Sequence, residues 1–342
     1  MLPPTRSVRH LAALLLAVAA ALVLPACGSS PDAGRPDEAA KLLLDFHPGA
    51  VHAGIYLAMA RGFDEAEGVR LSVEIPGSGT DAVKSLLSGQ ARFAVLDLHD
   101  LAIARAKGRD LVAVMALVQR PLAAVVAAPD VPRPRALEHR TVGVTGLPSD
   151  TAVLDSLVRG DGGDPAKVRR VTIGFDAVPA LLGGRVSGAT AFWNAEGVAL
   201  QARRPGVHVF RVDEYGAPAY PELVLVTTRA TTQDSPAVVR ATVTALQRGY
   251  RSAISDPDSA VSELQAAVPG LDRALVAKQL DAVSETFQAA SGQIGTFDVP
   301  ALRTWAAWEA RFGIVKTAPE VADMFNPRFA EEGAAKATED SG

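Results

Sequence analysis

From Lys41 onward, short apolar runs alternate with amphipathic stretches, and this alternation restricts the chain to α/β architectures. Leu42–Leu44 reads as a buried strand and His52–Phe63 as a helix ending near Gly62. Leu71–Ile75 is the next strand, followed by the loop Pro76-Gly77-Ser78-Gly79-Thr80 and a helix through Leu87. Strand Arg92–Leu96, helix Leu98–Ala106, strand Leu111–Leu117 and the apolar run Leu122–Ala127 complete a first unit. Pro129, Pro132 and Pro134 then interrupt the pattern.

A second unit starts at strand Thr141–Val144, whose loop Gly146-Leu147-Pro148-Ser149-Asp150 leads into a helix from about Thr151. Strands follow at Arg170–Ile173, Ala189–Phe192, Val207–Val212 and Leu223–Thr227, with helices at Val178–Leu182 and Ala195–Arg203. After Ser235-Pro236, an N-cap with proline at the first helical position, the pattern is helical. Val239, Val243, Leu246 and Tyr250 keep helical spacing, and Asp258–Val268, Leu271–Phe287 and Val299–Phe312 continue the run. From Glu331 the residues are small and polar, which predicts a disordered tail over 331–342.

The N-terminus belongs to neither unit. Arg6, Arg9 and His10 precede the apolar stretch Leu11–Leu24, which is shorter than the roughly 20 residues of a membrane span. It ends in Leu24-Pro25-Ala26-Cys27, which resembles a bacterial lipobox. Cys27 is the only cysteine among 342 residues and so has no disulfide partner, whereas a lipidation site needs none. The expectation is a signal peptide over 1–26, a lipid on Cys27 and a flexible tether over 27–40; the alternative is a plain signal peptide or anchor with an incidental cysteine. A net charge of −4 supplies no basic stripe, so nucleic acid is not an expected partner.

Several stretches resemble the NMT1/THI5-like family. They include Leu44-Asp45-Phe46-His47-Pro48, His52-Ala53-Gly54-Ile55-Tyr56, Gly146-Leu147-Pro148-Ser149-Asp150 and Phe192-Trp193-Asn194-Ala195-Glu196-Gly197, in order between about Leu42 and Thr227. The resemblance implies a type II periplasmic-binding-protein clamshell, with a ligand held between two lobes. The expected lobes are 41–128 plus 230–330, with the helical C-terminal run packed on that first lobe, and 129–229. The hinges are then expected near Pro129–Pro134 and Leu223–Arg229. With the lipid expected on Cys27, it also implies a membrane-anchored, monomeric receptor that hands a small heteroaromatic nutrient, a thiamine pyrimidine precursor, to an ABC permease and its ATPase.

The loops after the strands are where such a fold places its ligand. Phe46 stands where the family carries an aromatic that stacks on the ring, though a core Phe at a strand end reads the same way. His52 opens a helix and either donates to the ligand or only caps. Ser78, Thr80, Ser149 and Asp150 lie at helix starts, where free N–H groups face a ligand and where such residues, Asp150 above all, also serve as ordinary caps. Asp97 and His99 follow the strand Arg92–Leu96. Trp193, Asn194 and Glu196 follow Ala189–Phe192, so Trp193 should stand at the rim with Glu196 one turn on. A carboxylate there suits an aminopyrimidine and repels a sulfonate, although it also suits a helix N-terminus. Tyr220 with Glu222 adds a wall or a hydroxyl near the second crossover.

Receptors for riboflavin, taurine or alkyl sulfonates are the alternatives within the binding class, and a sensor or adhesin is a third class. Pyrimidine synthases are the enzymatic alternative. Their pattern needs a lysine for pyridoxal phosphate, a histidine four residues on and a CCCFC motif. Aligned on Ala104–Gly108, those two positions fall on Leu96 and Asp100, so no cofactor and no catalysis are expected.

Overall fold

The computed structural model describes residues 38–75, 79–147 and 149–339. Ten strands occur among them: β1 (Glu38–Leu43), β2 (Val69–Glu74), β3 (Phe93–Asp97), β4 (Leu111–Val118), β5 (Ala123–Ala127), β6 (Thr141–Val144), β7 (Arg169–Thr172), β8 (Gly188–Phe192), β9 (His208–Arg211) and β10 (Leu223–Thr228). They form two five-stranded sheets, ordered β2-β1-β3-β10-β4 and β7-β6-β8-β5-β9. β4, β5 and β10 are apolar along nearly their whole length because they are covered on both faces. β7 reads Arg-Arg-Val-Thr and is exposed throughout, as a charged edge strand should be.

Each sheet contains one strand that runs against its neighbours. β10 is antiparallel to β3 and β4, and β5 is antiparallel to β8 and β9. The chain therefore crosses once after β4 to place β5 in the second sheet and returns after β9 to place β10 in the first. The result is a two-lobed α/β fold.

This pairing moves the expected division. β5 hydrogen-bonds within the second sheet and β10 within the first, so the crossings are residues 119–122 and 212–222. The prolines at 129–134 instead sit beyond β5, in a turn of the second lobe. The expected tether is also shortened, because Glu38–Ala40 pairs in register with Val69–Leu71.

Six helices flank the cavity or brace the sheets behind it: α1 (Ala53–Ala60), α2 (Leu98–Ala106), α3 (Ser149–Gly160), α4 (Pro236–Ser255), α5 (Val299–Arg311) and α6 (Arg328–Glu339). α4 opens with Pro236 at its first position as expected, but the Ser235 side chain makes no capping bond. It crosses α1 closely: a Cβ on Gly54 would meet the Tyr250 ring, and the Tyr250 hydroxyl donates to the Val51 carbonyl at 2.8 Å. α5 does not serve one lobe alone. Leu302, Trp305 and Ala306 pack into the cluster behind the first sheet, while Trp308 packs with Val131, Leu137 and Phe210 of the second. Residues 331–339 of the expected tail belong instead to α6, in which Phe329 and Ala330 are buried and the Ala330 carbonyl accepts from the Gln247 amide at 2.8 Å; 340–342 lie outside the described residues. Small residues at 330, 333 and 334 look featureless in sequence, yet they let α6 lie close against α4.

Candidate functional site

A cavity of about 520 Å³ opens at the carboxyl ends of strands from both sheets. Asp45 follows β1, Ile75 follows β2 and Asp97 ends β3, while Thr145, Phe175 and Asn194 come from the loops after β6, β7 and β8. This is where open α/β sheets place ligands. Its described lining contains seven carboxylates (Asp45, Asp97, Asp100, Asp150, Asp272, Glu196 and Glu222) and no lysine or arginine.

On the second-sheet side, the turn after β8 decides which residues face inward. Trp193–Gly197 form one π-helical turn, a wider winding than the α-helix. The Trp193 ring is buried away from the cavity lining. Its indole N–H donates to the Pro121 carbonyl at 2.9 Å, and the Arg211 guanidinium lies 4.0 Å from its ring centroid. Trp193 thus braces the first crossover rather than forming the expected rim. Asn194 and Glu196 do line the cavity. Asn194 is 2% exposed, and its carbonyl oxygen has no hydrogen-bond partner among the described residues. One Glu196 oxygen accepts from the Phe192 N–H at 3.0 Å, and burial pushes its carboxyl above the usual range.

Ser149 lines the cavity at the first residue of α3. Its neighbour Asp150 serves the loop instead. Asp150 accepts from the N–H groups of Gly146 and Leu147 at 2.6 and 2.9 Å, and from the hydroxyls of Thr145 and Thr190, both at 2.8 Å. Gly146, at φ +96°, supplies the turn that aims its N–H at that carboxylate.

On the first-sheet side, His52 is 1% exposed and both of its nitrogens are engaged. Nδ1 accepts from the Gly49 N–H at 3.1 Å, so Nε2 carries the proton toward Asp45 at 2.7 Å. Although His52 lines the cavity, neither nitrogen is free to donate to a ligand. Phe46 lies at the mouth with its ring centroid 4.6 Å from that of Phe175, so one aromatic from each lobe meets there. Ser78 lies outside the described residues, and Thr80 is placed only as backbone in the first turn of helix Gly79–Ser88.

Asp97 caps α2 by accepting from the His99 N–H at 2.7 Å. His99 is 2% exposed; Nδ1 bonds Glu309 of α5 and Nε2 bonds the Tyr220 hydroxyl at 3.2 Å. Burial alone would discharge this imidazole. The carboxylates of Glu309, Asp97 and Glu222 outweigh it and hold the group at a pKa of about 10. Tyr220 is buried behind His99 and does not line the cavity, contrary to expectation. Its near neighbour in sequence, Glu222, does line it and is fully buried.

Phe175, Asp100 and Glu309 do not stand out as site residues in the sequence. Phe175 had one available signal, as an aromatic in a loop of a chain with only 5% aromatic residues. Glu309 had none, because its partner lies 210 positions away.

Residues 50–260 match the family model described as NMT1/THI5 like. A formylaminopyrimidine-binding protein from Halalkalibacterium halodurans is 31% identical over 257 residues, covering 73% of this chain and 76% of that protein. A 4-amino-5-hydroxymethyl-2-methylpyrimidine phosphate synthase from Legionella pneumophila is 24% identical over 69% of this chain and 76% of its own length. Among solved structures, the periplasmic aliphatic sulphonate-binding protein from Escherichia coli superposes with a TM-score of 0.69 at 16% identity, over 85% of this chain and 92% of that one. That likeness carries the periplasmic-binding-protein fold.

Proposed function

The chain belongs to the NMT1/THI5-like family, and we propose that it is the extracytoplasmic receptor of an ABC importer for an aminopyrimidine of the thiamine-precursor class. It is a binding protein and not an enzyme. The relative 31% identical over 257 residues is a binding protein, and the resemblance, aligned on Ala104–Gly108, puts Leu96 and Asp100 where the synthases need a lysine and a histidine.

The observation that carries the ligand class is the pair Asn194 and Glu196, turned into a cavity whose described lining has no basic side chain except histidine. An aminopyrimidine offers an exocyclic amine whose N–H groups match the Glu196 carboxyl and the unpartnered Asn194 carbonyl oxygen. A buried acceptor without a partner costs about 1–3 kcal/mol, which a ligand bond would recover. Phe46 and Phe175 supply apolar faces at the mouth. A sulfonate, taurine or nitrate would bring negative charge among carboxylates, at a cost that no lysine or arginine of the described lining offsets. Riboflavin is the remaining alternative.

The delivery route is part of the same proposal. Cys27, outside the described residues, carries the lipid that holds the mature chain at the outer face of the membrane, where it meets the permease as a monomer. Cys27→Ser should move the protein from the membrane fraction to the soluble one; continued retention would reject the anchor.

The ligand claim is tested by titrating 4-amino-5-hydroxymethyl-2-methylpyrimidine into the wild type and into Glu196→Gln. The expected result is saturable binding that weakens at least tenfold, about 1.4 kcal/mol, in the variant. Equal affinity in the two proteins would overturn the assignment of Glu196.

A further inference from the structure

We propose that the Asp97–Glu222 carboxyl pair is a second anchoring point in the cavity, built to receive a primary ammonium group carried by the ligand. The inference rests on the aminopyrimidine reading above and narrows it to rings with an aliphatic amine substituent.

Glu222 occupies an unusual place in the chain. It is the last residue of the return crossover, one step before β10, and Leu223 pairs with Asp97 across the sheet. Its carbonyl accepts from the Leu98 N–H at 3.0 Å. One side-chain oxygen accepts from the N–H groups of Leu122 and Ala123, the latter at 3.1 Å, and so ties the return crossover to the outgoing one. The other oxygen, Oε1, has no hydrogen-bond partner among the described residues, although Glu222 is fully buried and lines the cavity. A carboxylate oxygen in that position lacks a donor from the protein unless a proton is shared with Asp97.

The surroundings select what kind of donor fits. One carboxylate oxygen each from Asp97 and Glu222 and one ring nitrogen of His99 lie within 4.8 Å of one another. His99 is not available to a metal, since Glu309 holds one nitrogen and Tyr220 the other. Two carboxylates with no free imidazole are a poor set for a transition metal and a good one for an ammonium, whose three N–H groups can bridge them. Around the pair stand Asp100 and His99 of α2, Glu309 of α5, Asp45 after β1 and the Tyr220 hydroxyl, with Asp213 beyond Tyr220 and Lys107 beside Asp100. His99 is the one cation beside the pair, and Glu309 already neutralises it.

Without ligand, a proton fills the gap. Burial and then the neighbouring Asp97 push Glu222 up to about 8, and a bond between the two carboxyls exists only while one of them is protonated. An arriving ammonium takes over that role. The singly protonated pair releases its proton to solvent, the two carboxylates accept the ammonium N–H groups, and no covalent bond to carbon or nitrogen changes.

Calorimetry on the full mature protein tests this, using 4-amino-2-methylpyrimidines that carry aminomethyl, hydroxymethyl or formylaminomethyl at position 5. Each is titrated in two buffers of different ionisation enthalpy. The aminomethyl compound should bind at least tenfold tighter than the formylaminomethyl one. Its binding should release part of a proton at pH 7, and its affinity should rise from pH 6 to 8. Asp97→Asn, which retains the capability to cap α2, should shrink that preference to within threefold and abolish the proton release. Pyrimidine binding with no preference for the amine and no proton release would overturn this inference while leaving the receptor reading intact. No pyrimidine binding at all would overturn both. Zinc binding lost on Asp97→Asn would replace the ammonium with a metal and equally reject the proposal.

Discussion

His99 stands among more carboxylates than it can neutralise, and this sets how stability responds to pH. Its pKa of about 10 in the folded chain lies above the ordinary histidine value near 6.5. Its stabilisation is therefore complete below about pH 6.5 and is lost as pH climbs through about 10. Glu222, raised to about 8, acts in the same direction from its ordinary range upward. We expect the melting temperature of the ligand-free protein to fall steadily between pH 7 and 10. His99→Gln should lower the plateau by about 3–5 kcal/mol, the cost of leaving Glu309 buried without its partner, and flatten the slope above pH 8. An unchanged slope in that variant would show that other groups set the alkaline limb. At this scale the sequence located in the cavity lining residues at or just after a strand end, as with Asp97, His99 and Asn194. It misled at Trp193, because side-chain direction there depends on one π-helical turn that no propensity announces.

Elements were more legible than their partners. Alternation located every strand to within a few residues, and Leu98–Ala106 and Thr141–Val144 coincide with the structure. What alternation cannot reveal is which sheet an apolar run joins. β5 and β10 read as buried strands in either lobe, so the prolines at 129–134 looked like the natural boundary. α6 was missed for a related reason: its contact face is made of small residues, and small residues also characterise tails. The α1–α4 crossing offers the sharpest test of element packing. A methyl group at Gly249 would lie 2.1 Å from the Gly54 carbonyl oxygen and 2.7 Å from the Ala58 side chain. Gly249→Ala should therefore destabilise by about 1–3 kcal/mol, or more if the helices cannot separate, with little effect on ligand affinity once folded. A neutral outcome in denaturant titration would mean the crossing is looser than these distances imply.

Across the whole molecule, two short crossovers join the lobes, and α5 touches the hydrophobic clusters of both. Hinge bending about such crossovers is the ordinary transition of two-lobed receptors. Glu222 and Trp193 both bond the outgoing crossover, so two lining residues, Glu222 itself and Asn194 next to Trp193, are tied to it. A ligand at a hundred times its dissociation constant should raise stability by about 2.7 kcal/mol, and the thermal shift should follow the logarithm of concentration. The central claim is that the acidic cavity takes an aminopyrimidine and refuses anions. Its most direct test is a paired calorimetric titration of one protein sample with 4-amino-5-hydroxymethyl-2-methylpyrimidine and with taurine. Saturable one-to-one binding of the pyrimidine with no heat from taurine is the expected result; saturable taurine binding with a silent pyrimidine would contradict the account.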